Sequence, residues 1–311
     1  MTVPCCLNRC LIFQYFCQNF FTMIGESELI ITPKGKVYHI NLSQDDLADT
    51  IITVGDPDRV QQVSKYFDTI DFKTQHREFV THTGTIGKKR LTVLSSGIGP
   101  DNIDIVMNEL DAVANIDFNT RTVKPEHKTL QIIRMGTSGS LQADIPVDSL
   151  VASSHGIGLD NVLHYYLLEN NQHEKELCQA FTKHAGLENQ AVVPYAAQGS
   201  GELLSHFNEG YHHGITVTCP GFYAPQGRVV RAGLQFPELV NRLSGFQFES
   251  HRITNFEMET SAIFGLGKIF GHQCLALNTI VANRITKTFT KDAAKSVDHM
   301  IRKSLEIISS I

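Results

Sequence analysis

The stretch TIITVGDPDR, residues 50–59, decides the fold class of this 311-residue chain. Five residues of high β propensity are followed at once by Gly55, Asp56 and Pro57, which are typical of a tight turn and a helix start. The same plan of an apolar run, a glycine-containing turn and a helical pattern recurs at LTVL (91–94) before SSGIGPDN, and at LQIIRM (130–135) before GTSG (136–139). Continuous apolar strands that alternate with helices predict an α/β domain around a buried, parallel or mixed sheet. Ligands of such folds bind beyond the carboxyl ends of the strands.

The composition describes a compact globular chain and excludes several classes of function. Hydrophobic residues make up 42% of the chain, and charged residues make up 19%, below the roughly 25% of an average soluble protein. The net charge is −5, and no long run of Lys or Arg offers a face for a nucleic-acid backbone. Any anion that the protein binds must therefore be held by local geometry.

The cysteines and histidines form no recognisable disulfide framework or zinc motif. Four of the seven cysteines lie within the first 17 residues, and the other three are far apart with no CxxC pair. The spacing of His206, His212 and His213 matches no metal-ligand pattern either. These observations predict a reduced, cytoplasmic protein without a resident metal.

Residues 1–22 do not resemble the rest of the chain. The run from Cys10 to Ile24 is apolar enough to be mistaken for a signal peptide or a membrane span, but polar residues interrupt it and no small-x-small cleavage site follows. It is also shorter than the ~20 residues that a span requires. We therefore predict that residues 1–22 are a non-native or disordered extension, that translation starts at Met23, and that residues 23–311 form a single domain. A secretory signal is the alternative.

Two arginines lie where an anion is expected. Arg59 falls in the first turn of the helix after residues 50–54, where free backbone N–H groups make an anion site. The alternative is a solvated arginine on a helix capped by Asp56, although a cation there opposes the helix dipole. Arg134 ends a buried strand, so its guanidinium needs an anion, either from within the protein or from a ligand. With the hydroxyl of Thr137 nearby, the two arginines describe a phosphate clamp.

A group of carboxylates lies in TNFEMET, residues 254–260, which the pattern predicts to open a helix over residues 255–270. Thr254 and Glu257 fit the capping box, which gives Glu257 a structural explanation. Glu259 has no such explanation. A buried carboxylate at that position should accept hydrogen bonds, for instance from the vicinal hydroxyls of a sugar.

The segment FYAPQGR, residues 222–228, combines an aromatic ring, an amide and a guanidinium on a loop shaped by Pro and Gly. Phe222, Gln226 and Arg228 are suited to stack on a flat base and to hydrogen-bond its edge. A dinucleotide is a weaker interpretation, because GIGPDN (97–102) lacks the third glycine of the Rossmann fingerprint and no Walker loop is present. The residues alone thus indicate sites for an anion, for hydroxyl groups and for a flat ring.

Taken together, these segments resemble the nucleoside phosphorylase-I family. The resemblance spans roughly Val37 to the C-terminus, and its motifs are GDPDR (55–59), HREF (76–79), SSGIG (95–99), RMGTSG (134–139), FYxxQGR (222–228), FEMET (256–260) and ANR (282–284). Their order and spacing make the match specific. It implies a single three-layer α/β/α domain with a central mixed β-sheet. It also implies phosphorolysis of a nucleoside, with inorganic phosphate as co-substrate and no cofactor.

The resemblance further implies a role for each matching position. The implied phosphate site comprises Gly55, Arg59, Arg77, Arg134 and Thr137. The implied ribose site comprises His39, Glu257, Met258 and Glu259, and the implied base site comprises Phe222, Gln226, Arg228 and Arg284. The expected catalytic residues among them are Arg134, Glu259, Arg228 and Gln226. Because Arg77 and His39 match residues that relatives lend to a neighbouring subunit, the resemblance implies a dimer-based homo-oligomer, expected to be a hexamer, with no nucleic-acid or membrane partner.

The base preference is implied by one short segment. Purine phosphorylases and nucleosidases of the family carry a Ser-Asp pair whose Asp protonates the purine, whereas this chain has Ala282-Asn283-Arg284 at that point. The resemblance therefore implies uridine as the substrate, with uracil and α-D-ribose 1-phosphate as the products. A purine phosphorylase, a nucleosidase and a non-catalytic nucleoside-binding protein on the same fold are the alternatives.

The family also implies a monovalent cation, which this sequence leaves open. Bacterial relatives bind potassium through a Glu, a backbone carbonyl and a Ser. Glu78 and Ile98 match the first two ligands, but Asn102 replaces the Ser. The resemblance thus implies a potassium site near Glu78 and Ile98 in which the third ligand is replaced.

Overall fold

The computed structural model describes residues 23–311, so the predicted extension of residues 1–22 lies outside the described residues. The helices are α1 (Pro57–Ser64), α2 (Pro100–Asn115), α3 (Gln172–Ala185), α4 (Gly201–Ser205), α5 (Leu239–Ser244), α6 (Thr260–Phe270) and α7 (Ala293–Ile308). Short 3₁₀ turns occur at Gln44–Asp46, Val162–Tyr165 and Ala224–Gln226. Within the described part of the chain, no helix combines the length and the apolar character needed to cross a bilayer.

The described part of the chain contains fourteen strands, numbered here in chain order. They are β1 (Thr50–Val54), β2 (Thr69–His76), β3 (Phe79–Ile86), β4 (Lys89–Ser95), β5 (Ile116–Asp117), β6 (Thr122–Val123), β7 (Gln131–Ser140), β8 (Leu150–Gly158), β9 (Tyr195–Gln198), β10 (Tyr211–Thr218), β11 (Gln247–Phe248), β12 (His251–Glu257), β13 (Gln273–Asn283) and β14 (Thr288–Phe289).

A twelve-stranded mixed sheet forms the centre of the domain. Ten of its strands follow the order β11-β12-β10-β8-β13-β7-β1-β4-β3-β2, while β9 pairs with β8 and β14 pairs with β13. The pairs β1–β4, β1–β7 and β13–β7 are parallel, whereas the pairs β2–β3 and β3–β4 are antiparallel. An additional antiparallel pairing of β12 with β7 closes β12-β10-β8-β13-β7 into a ring. The mixed α/β architecture that the sequence predicts is confirmed.

Alternate residues of the central strands face two different layers of helices. In β1, Ile51 packs in the core that contains α2 and α6, whereas Ile52 packs in the core that contains α1 and α7. In β7, Ile132 and Ile133 divide in the same way. All four side chains are fully buried, as expected for strands that are covered on both faces. The sheet is therefore the middle layer of three.

The turn predicted at residues 136–139 is wrong, because β7 continues through this segment to Ser140. A Cβ atom at Gly136 would lie 2.7 Å from Asn278 Oδ1 and 3.1 Å from the guanidinium carbon of Arg134. The glycine therefore permits close packing inside a strand. Gly136 is thus required because neighbouring side chains pack close to the strand, and it does not mark a turn.

The helix predicted over residues 255–270 is wrong at its start, because α6 begins at Thr260. The capping box does not form, since Thr254 belongs to β12 and its hydroxyl donates to the carbonyl of Ile215 at 3.3 Å. The carboxylate of Glu257 nevertheless accepts the N–H of Thr260 at 3.0 Å. Glu257 thus satisfies the first turn of α6 from the end of the preceding strand.

Candidate active site

A cavity of about 700 Å³ opens where β1, β4, β7, β12 and β13 end. This is the edge of the sheet at which the sequence predicts ligands. The cavity is lined by most of the predicted site residues, which are Gly55, Arg59, Arg134, Thr137, Phe222, Gln226, Arg228, Glu257, Met258 and Glu259. The residues His39, Arg77 and Arg284 do not line it.

Arg134 lies at the bottom of this cavity with only 4% of its surface exposed. Its Nε donates to Glu257 Oε2 at 3.2 Å, and its Nη2 donates to Glu259 Oε2. Its Nη1 is buried and finds no acceptor among residues 23–311. Arg134 is therefore held by an internal ion pair and still has one donor group to offer to a ligand.

Arg59 lies at the start of α1, where Asp56 accepts the N–H of Asp58 at 2.9 Å and Pro57 occupies the first helical position. Its Nη1 approaches the carbonyl oxygen of Met135 at 3.4 Å. Burial and the nearby charge of Arg134 lower the pKa of Arg59. The alternative of a solvated arginine does not describe it, because its side chain lines the cavity. Two guanidinium groups that repel each other in one cavity favour an anion between them.

Glu259 connects the arginines to the second glycine-rich turn. Its Oε1 accepts the N–H of Gly99 at 2.8 Å, and its Oε2 accepts from Arg134. Gly99 has a φ of +97°, which side-chain-bearing residues rarely adopt, so a glycine is needed to aim this N–H at the carboxylate. Burial raises the pKa of Glu259 to about 7, although Arg134 lowers it and Glu257 raises it further. The group is therefore poised to change charge near neutral pH.

Glu257 has both carboxylate oxygens engaged by protein donors. Oε1 accepts from the hydroxyl of Thr218 at 2.8 Å, and Oε2 accepts from the N–H of Glu259 at 2.9 Å and from Nε of Arg134 at 3.2 Å. The N–H of Thr260 adds a further contact to both oxygens. These bonds suit a residue that holds Arg134 in place. The predicted ribose-binding role of Glu257 stays a prediction that its contacts do not favour.

The predicted base residues cluster around Gln226, which is only 5% exposed. Its Oε1 accepts from Arg228 Nη1 at 2.6 Å, and its carbonyl accepts from Arg284 Nη1 at 2.8 Å. The guanidinium of Arg228 lies 3.7 Å from the centre of the Phe222 ring. Burial and the charge of Arg284 lower the pKa of Arg228 to about 10. Arg284 thus binds the main chain of the loop and does not line the cavity, whereas Phe222, Gln226 and Arg228 do.

His39 and Arg77 lie together on another part of the surface. The guanidinium of Arg77 lies 5.6 Å from the centre of the Tyr38 ring, and that ring contacts His39 edge to face at 4.9 Å. Arg77 occupies the turn between β2 and β3 with a φ of +54°. Left-handed backbone at an arginine is strained, and such strain is often found at functional sites. The structure therefore groups the two residues but does not place them in the cavity.

The residues expected near a monovalent cation lie at the rim of the same cavity. Glu78, Ile98 and Asn102 all line it. The amide nitrogen of Asn102 lies 2.2 Å from where a Cβ of Gly97 would stand, so the side chain turns an N–H donor toward that turn. An N–H donor does not ligate a cation. With its Nδ2 turned toward Gly97, Asn102 does not take the place of the serine ligand.

Within the described residues, one group of possible metal ligands lies elsewhere. Ligand atoms of Asp111, His127 and His272 lie within 4.8 Å of one another. Nδ1 of His272 accepts the N–H of Leu130 at 3.2 Å, so Nε2 of the neutral ring carries the proton. A protonated nitrogen cannot bind a metal. This Nε2 lies 3.4 Å from Asp111 Oδ1 without forming a hydrogen bond.

Two site residues were not singled out from the sequence. Gly99 appears there within the motif SSGIG and within an incomplete Rossmann fingerprint but is given no role, although two glycines ahead of Pro100 are a signal for positive φ. Thr218, which donates to Glu257, carries no signal in the sequence, because it is one threonine at the end of a buried strand.

Comparisons with known proteins identify a family and several relatives of this chain. A family model described as the phosphorylase superfamily matches residues 49–310. The uridine phosphorylase of Thermococcus kodakarensis is 28% identical over 278 residues, which cover 89% of this chain and 88% of that protein. The uridine phosphorylase of Haemophilus influenzae is 25% identical over 261 residues, which cover 83% of this chain and 90% of that protein.

A solved structure is similar over nearly the same length. It is that of a Trypanosoma brucei nucleoside phosphorylase, which is described as showing uridine phosphorylase activity. The TM-score is 0.84 at 31% sequence identity, with 91% of this chain and 100% of that chain covered. This chain therefore belongs to the phosphorylase superfamily, and the family predicted from its motifs is confirmed.

Proposed function

We propose that this protein is a uridine phosphorylase that cleaves uridine reversibly with inorganic phosphate. One observation carries the proposal: a single cavity holds an arginine pair, Arg59 and Arg134, together with a base-edge set of Gln226 and Arg228. Phosphate and pyrimidine are the ligands that these two sets suit. The uridine phosphorylases among its relatives support the same substrate.

In the proposed reaction, the arginines hold phosphate in line with the sugar carbon C1′. Orientation of this kind contributes up to roughly 7–11 kcal/mol to a bimolecular reaction. Glu259 and Met258 line the cavity and are proposed to bind the ribose hydroxyls. Fixing the sugar while the glycosidic bond stretches favours an oxocarbenium-like transition state, as in other glycosyl transfers.

The leaving uracil is proposed to be stabilised by the base-edge set. The C1′–N1 bond breaks and its electron pair goes to the pyrimidine, while an oxygen of hydrogen phosphate forms the new bond to C1′. The proton of hydrogen phosphate then neutralises the uracil anion, so the products are uracil and α-D-ribose 1-phosphate. Gln226 and Arg228 stabilise the developing negative charge, and one such donor is worth about 3–4 kcal/mol.

The contacts of Asn283 argue against a purine substrate. Its Nδ2 donates to the carbonyls of Gln142 and Ile145 at 2.8 and 2.9 Å. Its Oδ1 accepts from the N–H groups of Ile285 and Thr286, both at 2.9 Å. The amide is fully used in shaping the turn after β13. It therefore offers no acid to a purine ring.

The proposed function is tested by incubating the protein with uridine or inosine, each with and without phosphate. We expect release of uracil from uridine only when phosphate is present. Cleavage of inosine would favour a purine phosphorylase, and cleavage without phosphate would favour a nucleosidase. Binding of uridine without cleavage would favour a non-catalytic binding protein.

Gln226→Met is expected to lower kcat/KM for uridine by about 100-fold, because it removes a polar group that faces the leaving base. Initial rates of uracil release at several uridine concentrations measure the effect. The control is Gln172→Met on the exposed surface of α3, which should leave the rates unchanged. A loss of less than about five-fold would remove Gln226 from the catalytic set.

A dimer-based oligomer, with a hexamer as its full form, is part of this proposal. It is supported by the position of His39 and Arg77 outside their own cavity, where a neighbouring subunit can use them. A cytoplasmic location is proposed as well. It is supported by the free thiols of Cys178, Cys219 and Cys274, which suit a reducing compartment.

A further inference from the structure

Glu109 is a buried carboxylate of α2 that the mechanism above does not use. It accepts the backbone N–H of His39 at 3.0 Å and that of Ile40 at 2.8 Å. Its Oε1 also lies 2.6 Å from Nδ1 of the His39 ring. Within residues 23–311, this ring is the one ionisable partner that Glu109 contacts as an ion pair.

These contacts fix the proton of the imidazole. A carboxylate only accepts hydrogen bonds, so Nδ1 of the neutral ring carries the proton and Nε2 presents a lone pair. The side chain of His39 remains 28% exposed, and the edge-to-face contact with Tyr38 restricts its rotation. His39 therefore presents a hydrogen-bond acceptor in a fixed direction at the surface.

We infer that Glu109 is a positioning residue, which holds His39 in the Nδ1–H tautomer so that Nε2 accepts a hydrogen bond from the 5′-hydroxyl of a nucleoside in the neighbouring subunit. The inference rests on the proposed function and on the ribose-binding role that the resemblance implies for His39, which is to contact the 5′-hydroxyl of the neighbour's nucleoside. It also makes Glu109 a determinant of specificity. A hydroxyl can donate to Nε2, whereas a 5′-deoxy sugar has nothing to donate.

The test compares uridine with 5′-deoxyuridine in the wild type, Glu109→Gln, His39→Ala and the double variant. In Glu109→Gln, the amide nitrogen of the new side chain donates to Nδ1 and moves the ring proton to Nε2. We expect Glu109→Gln to lower kcat/KM for uridine about ten-fold, and to change that for 5′-deoxyuridine by less than about two-fold. In the double variant, the loss should equal that of His39→Ala alone, because the two residues act as one unit.

The matched control is Asp111→Asn, the same change on the same helix, which should leave the ratio between the two substrates unchanged. An equal loss on both substrates in Glu109→Gln would show that Glu109 only holds the backbone, and would overturn the inference. Additive losses in the double variant would overturn it too.

A second measurement does not depend on activity or on a stable Glu109 variant. The ¹⁵N NMR signals of the His39 ring, identified in the wild type by their absence from His39→Ala, should show a protonated Nδ1 and an unprotonated Nε2. The opposite pattern would overturn the inference. A wild-type protein that shows the expected tautomer but does not cleave uridine would overturn the proposed function instead.

Discussion

Arg134→Ala is expected to lower kcat/KM for phosphate-dependent cleavage of uridine by about a thousand-fold or more, because the loss of one preorganised donor already costs about 10²–10³ in rate. The variant loses the free Nη1 group that faces the proposed phosphate, and it also releases Glu259 from its partner. Uracil release at varied phosphate concentration measures both kcat and the KM for phosphate. A variant with near-normal phosphate dependence would contradict the clamp.

The same variant is expected to lose stability, because Glu257 and Glu259 would share a buried site without their cation. Breaking a buried pair typically costs about 3–5 kcal/mol of unfolding free energy. Arg134→Lys separates the two effects. It keeps a positive charge and should fold, but its ammonium cannot reproduce the planar set of donors, so activity should still fall about 100-fold.

The matched control for Arg134→Ala is Arg252→Ala. Arg252 forms a bidentate pair with Asp144 at 3.0 and 2.7 Å, but both side chains are exposed. Such exposed pairs contribute about 0–1 kcal/mol to the free energy of unfolding. The control should therefore change the melting temperature only slightly and leave the rate of uracil release unchanged. Chemical denaturation of the three variants compares the effects on the unfolding free energy.

Glu259→Gln is expected to lower kcat/KM for uridine by about 100- to 1,000-fold, the range seen when one preorganised polar group is removed. The amide can still accept the N–H of Gly99, but it turns a donor toward either Arg134 or the ribose. Initial rates with uridine at saturating phosphate measure the loss. Glu188→Gln, at an exposed position after α3, is the control and should behave as the wild type.

The pH profile gives an independent check on Glu259. Because burial raises its pKa to about 7, the carboxyl gains a proton as the pH falls through neutrality and becomes a poorer acceptor. The kcat/KM of the wild type should therefore fall on the acid side. Inorganic phosphate also titrates near neutral pH, so Glu259→Gln should retain only a shallower acid limb. Acid limbs of equal slope would contradict the role of Glu259.

The sequence predicts the first strand and its turn well, because the signals there are local. Gly55, Asp56 and Pro57 mark the start of α1 by chemistry that acts over a few residues, and this also places Arg59 in the first turn. The sequence also predicts that Arg134 needs an anion. The sequence leaves open whether that anion comes from the protein or from a ligand. In the structure Arg134 pairs with Glu257 and still keeps one free donor for a ligand.

The identity of the internal partner could not be predicted, because it depends on the pairing of distant strands. Glu257 reaches Arg134 since β12 pairs with β7 through Asn255 and Ser140, more than a hundred residues apart in sequence. The capping box in TNFE wrongly predicts Thr254 as the residue that caps the helix, for a related reason. Glu257 does satisfy the start of α6, but it does so from a strand that local periodicity cannot distinguish from a helix.

Helix α2 connects the cavity with the surface that carries His39. It begins after Gly99, whose N–H is bound to Glu259, and it carries Glu109, which is bound to His39. At 1.5 Å per residue, these contacts are about 15 Å apart along one rigid element. Glu259 and the imidazole of His39 are therefore held at a fixed spacing by one helix. In the proposed oligomer, this one helix would thus align a subunit's own cavity with the imidazole that the subunit offers to its neighbour.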